Sequence, residues 1–525
     1  MKLVSEQILQ AQIVGTKEVQ ITLDDDFNVP DSKADIDSVV KEWGNVYIDS
    51  VKMGDGTAQV KGNLDFALLY QGKNGVYGIA PVKLTGGIAF DDTINLPDEY
   101  QSGTVTCTAR IDDLTVKAIN SRKISVRAIV TLVVSCCRED WKELGCQVED
   151  NDEGTIQVKK QKLSYTQMCV NMRDNLRIRQ GLPLPAGLPN IGEIKWEEMW
   201  LKNVTSHMTD EGLTLSGELS VFVMYEADVE APKLQWFEGN VSFEEKLELS
   251  AATQDMVCFV KYNTISCNVE PKANYDGEMR DLSLEMVLEL DVKGYLDKEK
   301  DIIGDIYAPC GNVDVTRENI DFARLVMRNN SRCKVNSKIN LKDNLLMQII
   351  SCTAKAQADS VTAGEDGLVV EGVMLVDIMY VTTLDSAPLC SIREAVPFSH
   401  KIALGDGNEG ADIQLDISVE NVSAVMAGNG EVAVKGSIAV DVICFASNTI
   451  TAVTKCDNAT FNQEEYLKYP CIVGFIANGN DNLWTIAKNN HTTVDIIRQE
   501  NKNLPENCDE EYVVPAREKL LLMKA

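Results

Sequence analysis

Histidine is scarce in this chain: three in 525 residues, His207, His400 and His491, all far apart. A catalytic or metal centre needs a positioned nucleophile, an acid and base pair, or a ligand cluster. No HExxH, GxSxG, Walker A loop or dinucleotide fingerprint supplies one. Lys435-Gly436-Ser437 has only the tail of a phosphate loop and lies mid-strand. Long apolar runs are missing as well. The most apolar, Ala128 to Val134, falls well short of the ~20 residues that span a bilayer. The opening MKLVSEQILQAQIVG lacks the continuous apolar centre of a signal peptide. Basic residues are outnumbered, 50 Lys and Arg against 80 Asp and Glu, and the formal charge of −30 repels phosphate backbones and anionic headgroups. Nucleic acid and membrane insertion are therefore not expected. The 15 cysteines contain no CxxC pair. Several, such as Cys107, Cys258, Cys267 and Cys444, stand singly in strand-like stretches, as reduced structural thiols of a cytoplasmic protein would. The expectation is a non-enzymatic protein without cofactor or metal.

What the chain does have is one strand written three times: Gly62 to Tyr70, Gly217 to Tyr225 and Gly372 to Tyr380, each copy 155 residues after the one before. Every second residue is apolar, as in Leu64, Phe66, Leu68 and Tyr70, which is the period of a strand with one buried face. A spacing this long exceeds any solenoid unit, so each copy is read as a whole domain of roughly 130 residues. A Gly-bearing hairpin turn precedes each strand: Asp55-Gly56, Asp210-Glu211-Gly212 and Glu365-Asp366-Gly367. A fixed aromatic follows, Phe90, Phe243 or Phe398, read as core. The strand-end tyrosines Tyr70, Tyr225 and Tyr380 are read as buried rings giving their hydroxyls to nearby backbone. A longer alternating run closes each domain, Ile124 to Val134, Leu282 to Val292 and Val432 to Val442.

Strands separated by turns, with little helical period, predict a mostly β chain of three tandem antiparallel β-sandwich-like domains, over 1–140, 160–298 and 320–455. Asp24 to Asp26 is expected to be a solvated turn, and the charged stretches after Arg138 and after Asp297 to be linkers. The prolines of 181–190 fall within the second domain, where the first has NVPDS.

Near Tyr466 the alternation gives way to a βααβ pattern: strand Cys471 to Val473, a helix capped by Asn480 or Asp481, and a second helix opened by Thr492 or Thr493. Thr492 and Asp495 fit a capping box, and the last strand runs from Lys519 to Met523. The stretches NDNLWTIA (480–487), TTVDII (492–497), Asn501 and VPAREKLLL (514–522) resemble a LysM module over 468–524. The resemblance implies a shallow groove for N-acetylglucosamine glycans, between the loop opening the first helix and the loop after the second. Its positions here are Asn480, Asp481, Asn482, Leu483, Trp484, Asn501 and Asn503. Asn480, Asn482 and Ala516 depart from the usual Gly, Thr or Ser, and Gly. Leu483, Ile486 and Ala487 also fit the core of so small a unit, and Trp484 fits either core or contact surface.

Three β domains of one type followed by a LysM module resemble the clostridial spore coat morphogenesis family SipL. That resemblance implies an adaptor on the mother-cell side of the forespore surface, in the cytoplasm. It would dock on the coat ATPase SpoIVA through the LysM module and carry other coat proteins on the β domains. The competing reading is a peptidoglycan or N-acetylglucosamine binder.

Overall fold

The computed structural model describes residues 2–74, 78–100, 103–149, 156–229, 234–340, 346–364, 367–384, 387–403, 412–428, 430–459, 463–505 and 507–525. Six strands build each β domain. The first has β1 (Lys2–Asn28), β2 (Asp35–Gly54), β3 (Thr57–Asn74), β4 (Gly78–Asn95), β5 (Thr104–Asn120) and β6 (Lys123–Glu149). The second has β7 (Gln157–Pro183), β8 (Ile191–Thr209), β9 (Gly212–Ala227), β10 (Leu234–Glu248), β11 (Val257–Ala273) and β12 (Met279–Tyr307). The third has β13 (Asn312–Asn340), β14 (Leu346–Gly364), β15 (Gly367–Thr382), β16 (Leu389–Ile402), β17 (Asp412–Gly428) and β18 (Glu431–Ala459). In every domain the first strand pairs the sixth and the sixth pairs the fifth, while the third lies between the second and fourth. All these pairings are antiparallel.

The thrice-written strand is the centre of one sheet (β3, β9, β15), and the long closing run is the centre of the other (β6, β12, β18). Their apolar faces meet: Leu64, Phe66, Leu68 and Tyr70 pack with Ile124, Val126, Val130 and Leu132. The leading glycine of each copy has a steric reason. Gly62 pairs across the sheet with Phe90, Gly217 with Phe243 and Gly372 with Phe398. A Cβ on Gly62 would lie 2.4 Å from the Tyr47 carbonyl and 2.5 Å from the Phe90 ring. The tyrosines act as expected where their bonds are described: Tyr70 Oη donates to Ala34 O at 2.8 Å and Tyr225 Oη to Pro189 O at 2.9 Å. Gly56, the second residue of its two-residue hairpin turn, has φ 69°, and Gly212, just after its own two-residue turn, has φ 142°. The third turn, 365–366, lies outside the described residues, but Gly367 has φ 130°.

Two expectations change. Asp24 to Asp26 is strand, not turn, with Asp26 paired to Lys123 at 2.7 Å. Of the charged stretches expected to be linkers, 150–153 lie outside the described residues, and Arg138 to Glu149 and Asp297 to Asp301 are in the outer halves of β6 and β12. They stay extended because small apolar residues in them are buried between domains. Ile8, Leu144 and Cys146 of domain 1 pack with Leu163, Tyr165 and Ile302 of domain 2 and Ile320, Phe322 and Ala452 of domain 3.

A second junction has the same composition by domain: Val40, Ala67 and Leu69, then Trp196, Phe222 and Met224, then Ile350, Met379 and Leu389. At its edge Lys41 Nζ lies 2.6 Å from Glu198 Oε1 and 3.2 Å from Asp377 Oδ1, so one ion from each domain enters a buried cluster. Burial pushes the Lys41 ammonium down, but the two carboxylates outweigh it and hold its pKa above the ordinary value. Each domain touches both others, through bonds such as Asn45 Nδ2 to Thr264 O (2.7 Å), Thr166 Oγ1 from Leu325 N (2.7 Å) and Gln71 Nε2 to Leu389 O (2.8 Å). The three sandwiches close into a ring.

Candidate functional site

The C-terminal segment contains α1 (Gln463–Lys468), β19 (Ile472–Ile476), α2 (Leu483–Asn489), α3 (Val494–Glu500) and β20 (Lys519–Met523). The last four make the βααβ unit, with β19 and β20 antiparallel. The helix starts differ slightly from the sequence reading. Asn482 caps α2, its Oδ1 accepting from Thr485 N at 2.9 Å, because this short acceptor sits three residues before the orphan N–H. Of the two caps expected for α3, Thr493 serves, accepting from Ile496 N, so Thr492 and Asp495 do not form the expected capping box. Helix α1 had no counterpart in the sequence reading.

The seven groove positions divide by burial. Leu483 is 0% and Trp484 4% exposed, so neither can anchor a partner on the closed chain. Asn501 is also buried: its Nδ2 donates to Leu521 O and its Oδ1 accepts from Leu521 N, tying the end of α3 to β20. Asn482, beyond its cap, donates to Glu511 Oε2 at 2.8 Å. Asn480 and Asn503 are exposed and Asp481 half-exposed, with Asn503 bonded to Glu518. These three and Asn482, also half-exposed, leave polar side chains on the surface.

Trp484 is buried because it faces domain 2. Its Nε1 donates to Asp305 Oδ2 at 2.8 Å, and its ring meets Tyr307 edge-on with centroids 4.8 Å apart. Asp305 also receives Lys488 Nζ at 2.6 Å and Arg317. Burial pushes the Asp305 carboxyl up, yet the bonds from Lys488, Trp484 and Arg317 outweigh it and hold the pKa below its ordinary value. Tyr307 Oη donates to Thr492 O at 2.9 Å, and Tyr307 belongs to the unit's own apolar core with Leu483, Ile486, Ile497 and Leu522. Lys159 pairs with Glu511 at 2.5 Å. The unit is thus seated on the ends of β7 and β12. The sequence reading missed this seat; its signal was Tyr307 and Asp305, an aromatic and an acid in alternation at the end of a charged run.

Seating one side leaves another open. On β19 and β20, Ile472 is 59%, Ile476 64% and Leu521 40% exposed. Gly474 pairs with Leu521 and adds no side chain of its own, so these three share one largely apolar sheet face, on which Met523 stands opposite Ile472 and Lys519 opposite Ile476.

Three copies of one six-stranded sandwich, closed on each other and bearing a small βααβ unit, define a multidomain β scaffold. Residues 35–119, 190–272 and 346–427 each match the family model described as SipL, SPOCS domain. The chain belongs to the SipL family, a family of sporulation coat-related proteins, and carries three SPOCS domains in tandem. Each matched segment runs from the second strand of a domain to its fifth, so it includes the junction of Leu69, Trp196 and Met379 and leaves out the first and sixth strands, which carry the junction of Leu144, Ile302 and Phe322. No curated protein and no solved structure matches the chain. No described helix is long and apolar enough to cross a membrane.

Proposed function

We propose that this chain is a non-enzymatic adaptor of spore coat assembly on the mother-cell side of the forespore surface. The βααβ unit, a LysM module by its resemblance, docks on the coat ATPase SpoIVA, and the ring of SPOCS domains presents further surfaces to other coat proteins. The observation that supports this most is the open apolar face of Ile472, Ile476 and Leu521 on a unit whose opposite side is held by Asp305 and Tyr307. A fixed module with one exposed apolar face can transmit position between partners, which a freely tethered one does poorly. The groove residues give less support to glycan, since Leu483 and Asn501 are committed to the interior.

The test is binding of purified coat ATPase to the whole chain and to Ile472→Asp with Ile476→Asp. Both positions are surface, so the fold is retained. Loss of binding in the variant supports the adaptor reading. Unchanged binding, or sedimentation of the wild-type chain with purified sacculi, would overturn it.

A further inference from the structure

Of the six tryptophans, only Trp141 is exposed among the described residues, at 62%. It stands on the outer half of β6, away from the sandwich core, in a groove of about 540 Å³ where domain 3 returns to domain 1. Gln10 bridges this seam by donating to Asp321 O at 3.0 Å, and buried Ile320 forms part of the lining. The groove's charges are unevenly committed. Arg138 and Lys142 both turn to Asp140, at 3.0 and 3.9 Å. Glu318 and Asp321 accept only threonine hydroxyls from their side chains, and Glu143 makes no ion pair among the described residues. The lining thus holds four carboxylates and three cations, and with Arg138 and Lys142 both on Asp140, the carboxylates of Glu143, Glu318 and Asp321 beside the open indole make no ion pair among the described residues.

We propose that this groove is a docking site for an extended, arginine-bearing segment of a basic protein partner. A guanidinium is the side chain that satisfies both features together. It stacks flat on an indole while its edge donates to a carboxylate, which an ammonium does less well. The seam between β1 and β6 on one side and β13 and β18 on the other is bounded by strands, so it accepts an extended chain more readily than a helix. The net charge of −30 draws a basic segment in at long range. This surface is separate from the C-terminal unit and does not depend on the function proposed for it.

The test uses the full chain labelled with 5-fluorotryptophan and followed by fluorine NMR. It is titrated with an acetylated Ser-Arg repeat octapeptide, its lysine counterpart and its citrulline counterpart. The resonance assigned to Trp141, by its loss in Trp141→Phe, should shift saturably with the arginine peptide, less with lysine and not with citrulline. Trp141→Ala, and Glu143→Gln with Glu318→Gln, should each weaken binding about tenfold. The proposal is overturned if the Trp141 resonance stays still. It is equally overturned if Trp141→Ala binds within about twofold of the wild type, since the attraction would then be a general one between charges.

Discussion

Replacing Asp305 by alanine isolates the seating of the C-terminal unit, because Asp305 belongs to the ring and touches the unit only at its surface. The variant removes an acceptor from three donors. The Trp484 N–H is buried, so its bond to a charged acceptor contributes about 1.5–3 kcal/mol. Lys488 is 33% exposed, and solvent reduces its pair to about 0.2–1 kcal/mol. Arg317 stands on β13, so its pair with Asp305 lies within the ring and does not hold the seat. The seat should weaken by about 2–4 kcal/mol, a shift in its opening equilibrium of about 30- to 1,000-fold. Hydrogen exchange reads this directly: amides of α2 and of Ile302 to Tyr307 should exchange faster in Asp305→Ala by that factor, while the centres of β3, β9 and β15 keep their protection. The pH dependence follows in sign. A carboxyl held below its ordinary value contributes fully above about pH 4 and loses that contribution as pH falls through its lower folded value, so variant and wild type should converge in strong acid. Equal exchange of the two proteins at pH 7, or faster exchange spread evenly over the ring, would refute the reasoning.

Lys41→Met should destabilise the ring by about 3–5 kcal/mol by leaving Glu198 unpaired and Asp377 with Arg393 alone, and Lys41→Met with Glu198→Gln should recover part of the loss. Thermal unfolding checks both, and the loss should persist in high salt because the pair is shielded from it. Asp416 has its pKa pushed up to about 6 by burial, with Asp441 opposite it across β17 and β18. An acid raised in the folded state keeps its proton longer there than in the unfolded chain, so stability falls as pH rises from about 4 to 6. Asp416→Asn should therefore match the wild type at pH 4 and exceed it by on the order of 2 kcal/mol at pH 8 in denaturant melts.

The sandwich interiors were legible in the sequence because period two is a local signal. Leu64, Phe66 and Leu68, the closing run from Ile124 to Val134, and the Phe90 and Tyr70 anchors all report one buried face within a few residues. The ring was not. Its contacts are single apolar residues in charged surroundings, such as Leu144 and Cys146 after Arg138-Glu139-Asp140, or Ile302 after Asp301, and their partners lie in other domains. Lys41 reads as a surface lysine until Glu198 and Asp377 are brought to it from elsewhere. In the C-terminal unit, Leu483 and Ile486 read correctly as core, whereas the role of Trp484 turned on Tyr307 and Asp305, about 180 residues away in the chain.

The closed ring also bears on copy number. Because each domain rests against both of its fellows, the count of three is a matter of angle, as with wedges that fill a circle. Losing one copy would leave two wedges with the faces of Leu69, Trp196 or Met379 open to water, and a fourth would find no gap to enter. Evolution could lengthen the loops of such an assembly freely, but it could alter the number of wedges only by changing the slope of all of them together.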